Sequence, residues 1–265
     1  MLTFVGLGLY DQRSITIEGR DVLREADRVF AERYTSRLVG ANIEDVESYH
    51  GIDVELRDRA GVEQDPEPIL DAAENQDVAF LTAGDTMIST THVDLRLRAH
   101  DRGIDTRIVH GTTAQTAASS LTGLQNYRFG KATTLPFEYA HGGDGVPESV
   151  RETIDDNADR GLHTLVFLDI KVDGPERPAD APDETYMSAT TAADYLSVHY
   201  PDRLGVVVAR AGSPEPAVEA DTLSALANRT YGDPLHLLVI PGELHPIEAE
   251  ALVSLANAPA SILDS

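Results

Sequence analysis

Phe80-Leu81-Thr82-Ala83-Gly84-Asp85-Thr86-Met87-Ile88-Ser89-Thr90-Thr91-His92 decides the fold of this chain. An apolar run, Val78 to Leu81, stops at a Gly-Asp turn, and a helix-like pattern with Leu95 and Leu97 follows. A strand ending in a glycine turn places backbone groups and one acid at the carboxyl edge of a sheet. Open α/β sheets bind small ligands at that edge.

Working outward, the same alternation runs through all 265 residues. Strands are expected at 2–5, 28–31, 78–81, 106–109, 129–135, 162–168, 204–209 and 235–240. Helices are expected at 17–27, 68–75, 89–100, 113–121, 147–159, 189–198, 222–227 and 247–256, with Gly103 ending the helix that begins at 89. The segment 172–184 is rich in proline and acids and reads as a surface loop. This rhythm predicts parallel or mixed sheets with helices on their faces.

Several strands end alike. Val5-Gly6-Leu7-Gly8, Ala83-Gly84-Asp85, His110-Gly111-Thr112, Ala211-Gly212-Ser213 and Pro241-Gly242 each set glycine just beyond an apolar run. Glycine permits φ > 0 and close backbone approach. Together the turns predict a rim of backbone amides and carbonyls around a common cleft.

Composition narrows the partners. Formal net charge is −24, from 45 acids and 21 bases, and the only lysines are Lys131 and Lys171. The acids are dispersed, as in Asp155-Asp156 and Glu243, Glu248 and Glu250. This pattern fits a protein of a salt-saturated cytoplasm, kept soluble by self-repulsion. No basic stripe offers itself to nucleic acid. No apolar run approaches the ~18 residues that span a bilayer. Met1-Leu2-Thr3-Phe4 lacks the basic region of a signal peptide. Cysteine is absent, which excludes disulfides and thiolate metal sites and fits a cytoplasmic location.

Motifs for other chemistries are weak. Gly6-Leu7-Gly8 begins a dinucleotide fingerprint, but Asp11 stands where the third glycine belongs. No P-loop, H-E-x-x-H or G-x-S-x-G string occurs. His92, His100 and His110 have no metal-ligand spacing and read as surface or loop residues. Asp85 reads either as a ligand contact or as the cap of the following helix. Tyr10 reads as a loop tyrosine packed on the adjacent strand, and His236 as a structural residue opening its strand.

A resemblance sharpens this reading. The strings Phe4–Asp11, Ala31-Glu32-Arg33-Tyr34-Thr35-Ser36, Phe80–Asp85, Gly161–Lys171, Ala209–Ser213 and Gly232-Asp233-Pro234 resemble the archaeal diphthine synthases, in order and along the full length. These belong to the tetrapyrrole-methylase-like class of S-adenosylmethionine methyltransferases. The resemblance implies two α/β domains, 1–111 and 112–265, with mixed or parallel sheets and a cofactor cleft between them. It implies S-adenosylmethionine as cofactor, S-adenosylhomocysteine as its product, and no metal. The implied contacts are Leu9, Asp85, Ile88, Thr113, Ala114, Leu168, Ala211 and His236. It also implies a homodimer that trimethylates the 3-amino-3-carboxypropyl-modified histidine of translation elongation factor two. No catalytic base is assigned; Asp169, Tyr10 and His92 are conceivable helpers. Thr86 departs from the family, which often has proline there. A sister methyltransferase acting on tetrapyrrole or RNA, and a non-catalytic nucleotide-binding module, remain the alternatives.

Overall fold

In the computed structural model, residues 1–32, 34, 37–141, 145–172 and 184–261 are described. The chain divides into two compact units, Met1–Thr113 and Ala114–Ser265.

The first unit runs β1 (Leu2–Gly6), α1 (Ile17–Glu25), β2 (Arg28–Glu32), α2 (Ile43–His50), β3 (Val54–Arg57), α3 (Arg59–Glu63), α4 (Glu67–Ala73), β4 (Val78–Thr82), α5 (Val93–Asp101) and β5 (Thr106–Val109). Its five strands are all parallel, in the order β3-β2-β4-β1-β5. Helices cover both faces, which is why β1 and β4 are largely apolar and buried at every position. Side-chain alternation divides the core in two. Phe4, Phe80 and Phe30 lie in register across β1, β4 and β2 and pack with α3, α4 and α5. Val5, Leu81 and Ala31 face α1 and α2 on the other side. Phe4 and Phe80 meet edge to face at 5.8 Å, and burying each ring stabilises the unit by about 1.5–3 kcal/mol.

The second unit contains α6 (Ala114–Thr122), β6 (Thr133–Leu135), α7 (Glu148–Ala158), β7 (Thr164–Leu168), β8 (Ile170–Val172), β9 (Glu184–Tyr186), α8 (Ala189–Ser197), β10 (Leu204–Ala209), β11 (Ala217–Thr222), α9 (Leu223–Leu226), β12 (His236–Ile240) and α10 (Pro246–Leu255). Its main sheet has the order β11-β10-β12-β7-β6. Only β6 and β7 are parallel; β12 runs antiparallel to both neighbours. One face carries α7, α8 and α9 around Leu135, Val166, Val207 and Leu238. β8 and β9 form a separate antiparallel ribbon.

The mixed α/β expectation holds, and most elements fall within a few residues of their predicted places. Two expected elements shorten, and six others among the described residues were not expected. The helix expected from Ser89 begins only at Val93, and Ser89 has φ +56°. The strand expected over 129–135 contracts to Thr133–Leu135, with an isolated bridge from Phe129 to His163. α2, α3, β3, β8, β9 and β11 were not expected. β3 and β11 are edge strands, VELR and AVEADT, without the apolar run that marks a central strand. The predicted 172–184 loop lies mostly outside the described residues.

Candidate functional site

In the first unit, the loops after β4, β1 and β5 leave three adjacent parallel strands. Gly8 and Gly84 adopt φ +78° and +76° and bond to each other twice. Gly8 N–H donates to the Gly84 carbonyl at 3.2 Å, and Gly84 N–H donates to the Gly8 carbonyl at 2.7 Å. Gly111 presses on the same point: a Cβ there would sit 2.2 Å from the Gly84 carbonyl oxygen. Only glycine fits so close a crossing.

This sewing corrects part of the expected rim. The amides of Leu7, Gly8, Gly84 and Gly111 donate to Thr82, Gly84, Gly8 and Asp85. They hold the loops together and are not free to cradle a phosphate. A dinucleotide pyrophosphate depends on such free amides at the first strand turn, so the partial fingerprint at Gly6-Leu7-Gly8 does not function as one. The Thr82, Gly8 and Gly84 carbonyls and the Asp85 carboxylate are the acceptors of these bonds, so the crossing is satisfied within itself.

Asp85 is 6% exposed. Its Oδ1 accepts Met87 N–H at 3.0 Å, while Oδ2 accepts Gly111 N–H at 3.2 Å and pairs with His110 Nδ1 at 2.7 Å. The helix-cap alternative fails, because α5 starts at residue 93 with His92 at its N-cap. Asp85 instead closes its own turn and ties it to the β5 loop.

Leu9, Ile88 and Thr113 stand past the ends of β1, β4 and β5. Leu9 is half-buried, and its carbonyl accepts Val39 N–H at 3.4 Å. Ile88 is 44% exposed, an apolar side chain left open beside the rim. Thr113 is half-buried at the end of this unit. The Tyr10 ring lies close over Gly40 rather than on a strand. His50, unremarked in sequence, reaches the same loop: its Nε2–H donates to the Gln12 carbonyl at 2.8 Å. Nothing in the spacing around His50 signals this contact.

The histidines also need correction. His100 and His110 are exposed as expected. His92 is not a surface residue: it is 1% exposed, packed against Phe80 and Tyr34. Burial holds its imidazole below the ordinary histidine range.

In the second unit, the strand registers set three of the expected contacts along one sheet edge. Ala209 at the end of β10 pairs with His236 at the start of β12. Leu237 pairs with Phe167, which brings His236 level with Leu168 at the end of β7. Ala211 follows β10 by two residues, after Arg210 at φ +53°. Ala114 opens α6. The His236 ring is satisfied within the protein: Ala189 N–H donates to Nδ1 at 3.0 Å, and Nε2–H donates to the Asp233 carbonyl at 3.0 Å. Burial holds this imidazole low as well. His236 therefore holds the first amide of α8, and both of its ring nitrogens are engaged within the protein.

Asp169 is similarly engaged. Its Oδ2 accepts Phe137 N–H at 3.0 Å and pairs with Lys171 Nζ at 3.5 Å. Among the described residues, no group of three or more His, Asp or Glu side chains is placed to hold a metal.

Comparison with known proteins finds relatives along the whole chain. The sequence model of the tetrapyrrole (corrin/porphyrin) methylases matches residues 1–227. The chain is 71% identical to a diphthine synthase of Haloarcula marismortui, over 97% of this chain and 99% of that protein. It is 69% identical to that of Halorubrum lacusprofundi, with both chains fully covered. A crystal structure of diphthine synthase superposes with a TM-score of 0.88 at 36% identity, covering 99% of this chain and 98% of that one. Identity of this extent, end to end, means that the chain belongs to the diphthine synthases, a family of tetrapyrrole-methylase methyltransferases.

Proposed function

We propose that this methyltransferase transfers methyl groups from S-adenosylmethionine to translation elongation factor two. The acceptor is the amino group of the 3-amino-3-carboxypropyl-modified histidine, and the end state is trimethylated. The observation that carries the reading is the full-length identity with diphthine synthases. The strand-end amides, bonded inward, disfavour a dinucleotide at the same loops.

When bound, S-adenosylmethionine supplies an electrophilic methyl group on a cationic sulfur. The chain's part is to bind and align. Leu9, Asp85, Ile88 and Thr113 of the first unit and Ala114, Leu168, Ala211 and His236 of the second are the proposed contacts. Asp85 fixes the turn that presents Ile88, and Ile88 offers apolar surface. Alignment of nucleophile, methyl and sulfur contributes up to roughly 7–11 kcal/mol. No side chain is assigned as base, since each amine proton can pass to water. The enzyme acts as a cytoplasmic homodimer. Among the described residues, no helix is long and apolar enough to cross a membrane.

Radiolabelled S-adenosylmethionine, incubated at high salt with elongation factor two bearing the unmethylated side chain, tests the reading. Label is expected on the factor, in a three-to-one ratio to acceptor at completion. Label appearing only on tetrapyrrole or RNA in a parallel acceptor panel would replace this reading with the sister activity.

A further inference from the structure

Behind the 85–88 turn lies a set of buried polar atoms that the cofactor reading does not use. His92 and Thr86 are 1% and 0% exposed, and Tyr34 is 8% exposed. His92 Nδ1 lies 3.0 Å from the Thr86 carbonyl and 3.5 Å from Thr82 Oγ1. A carbonyl only accepts, so Nδ1 carries the hydrogen and Nε2 is a lone-pair acceptor. That Nε2, the Thr86 hydroxyl and the Tyr34 hydroxyl are all buried without a protein partner. Thr90 Oγ1, two residues before His92, is in the same condition.

The surroundings fix these groups in place. His92 stands edge-on to Phe80 at 5.1 Å and to Tyr34 at 6.3 Å. Arg59 lies over the Tyr34 ring at 4.8 Å, and Tyr34 N–H donates to Glu32 Oε2 at 2.8 Å. Burial keeps the imidazole neutral, while burial and the Glu32 and Glu63 carboxylates keep the phenol protonated. The group thus offers one nitrogen acceptor beside hydroxyl donors. Native interiors leave few such atoms unpaired, and one buried water takes about three hydrogen bonds from such a set.

We propose that Tyr34, Thr86 and His92 bind an internal water behind the cofactor turn. His92 is then a positioning residue: it holds the Thr86 carbonyl, and with it the segment between Asp85 and Ile88. The Thr86 hydroxyl supplies one of the water's partners. This inference rests on the reading of that turn as a contact for S-adenosylmethionine.

Three variants test it. Y34F removes only the hydroxyl. If that hydroxyl holds a water, the melting temperature falls by about 2–4 °C; if the site is dry, deleting an unpaired polar atom raises it. H92F keeps the ring packing and loses both nitrogens. It is expected to weaken S-adenosylmethionine binding about tenfold in calorimetry, the worth of one good hydrogen bond. In H92N the amide nitrogen stands where Nδ1 stood, so most of that affinity should return. At saturating S-adenosylmethionine, kcat should change less than about threefold in all three. A rise in melting temperature for Y34F, wild-type affinity in H92F, or no recovery in H92N overturns the proposal. Where H92F does not fold, the Y34F melt and H92N binding decide. Wild-type protein that binds S-adenosylmethionine but leaves elongation factor two unmethylated overturns only the substrate assignment. Wild-type protein that binds none overturns both.

Discussion

Asp85 directs its carboxylate inward. Its three partners, Met87 N–H, Gly111 N–H and His110, lie in the β4 and β5 loops, so its first effect is on the shape of the turn. In D85A both amides lose a buried acceptor, which costs about 1–3 kcal/mol. A urea melt should show that loss, and calorimetry should show S-adenosylmethionine binding at least about tenfold weaker. Wild-type affinity in D85A would mean that the glycine crossing holds the turn unaided. Gly84 and Asp85 were legible as a site because glycine after an apolar run has few other uses. The inward direction of the carboxylate was not legible, since its partners at 110 and 111 are distant in sequence.

Among the elements, α10 shows how an acid can belong to the interior of so acidic a protein. Glu248, one of the dispersed acids in the sequence, is fully buried in the first turn of α10. Its Oε1 accepts Gln125 N–H at 2.9 Å and His163 Nε2–H at 3.1 Å. Its Oε2 accepts His245 N–H at 2.8 Å and Arg128 Nη1–H at 3.0 Å. On the far side of the His163 ring, Nδ1 accepts Gly242 N–H at 3.1 Å, which fixes the neutral tautomer. Burial raises the Glu248 carboxyl, but the hydrogen bonds from Gln125, His245 and His163 outweigh it and hold it below its usual range. E248A strands Arg128 and two amides, and stability should fall by about 3–5 kcal/mol in a denaturant titration. A loss under about 1 kcal/mol would mean that water replaces the carboxylate, as at exposed pairs.

Charge and protonation act on the whole molecule. At −24 the folded chain repels itself. Salt shortens the screening length to about 3 Å at 1 M, so the melting temperature should climb as potassium chloride rises from dilute to molar. A flat response would show that the acids are already balanced locally. pH has an opposite origin. Burial lowers the His92, His163 and His236 imidazoles, so between the unfolded value near 6.5 and the folded values the unfolded chain binds more protons. Stability is therefore full above about pH 6.5 and declines as pH falls through the lowered folded values. Denaturant melts at constant salt from pH 8 to pH 5 should show the decline. H163N, with one fewer buried imidazole, should show a shallower one.

By itself, the sequence determined the alternation of strands and helices, the places where strands end in glycine, the salt-adapted charge and the family. Each of these is local or additive: periodicity, a φ > 0 requirement, a sum of charges, a string of residues. Tertiary structure alone decided which strand ends are neighbours and what their polar atoms do. The order β3-β2-β4-β1-β5 sets Gly8, Gly84 and Gly111 against one another, and their amides close on each other instead of on a ligand. Packing within each unit also buried His92 and Glu248, which look like any other polar residues in sequence. The physical reason is that a hydrogen bond is fixed by separation in space, and parallel strands joined by crossovers bring together residues far apart along the chain.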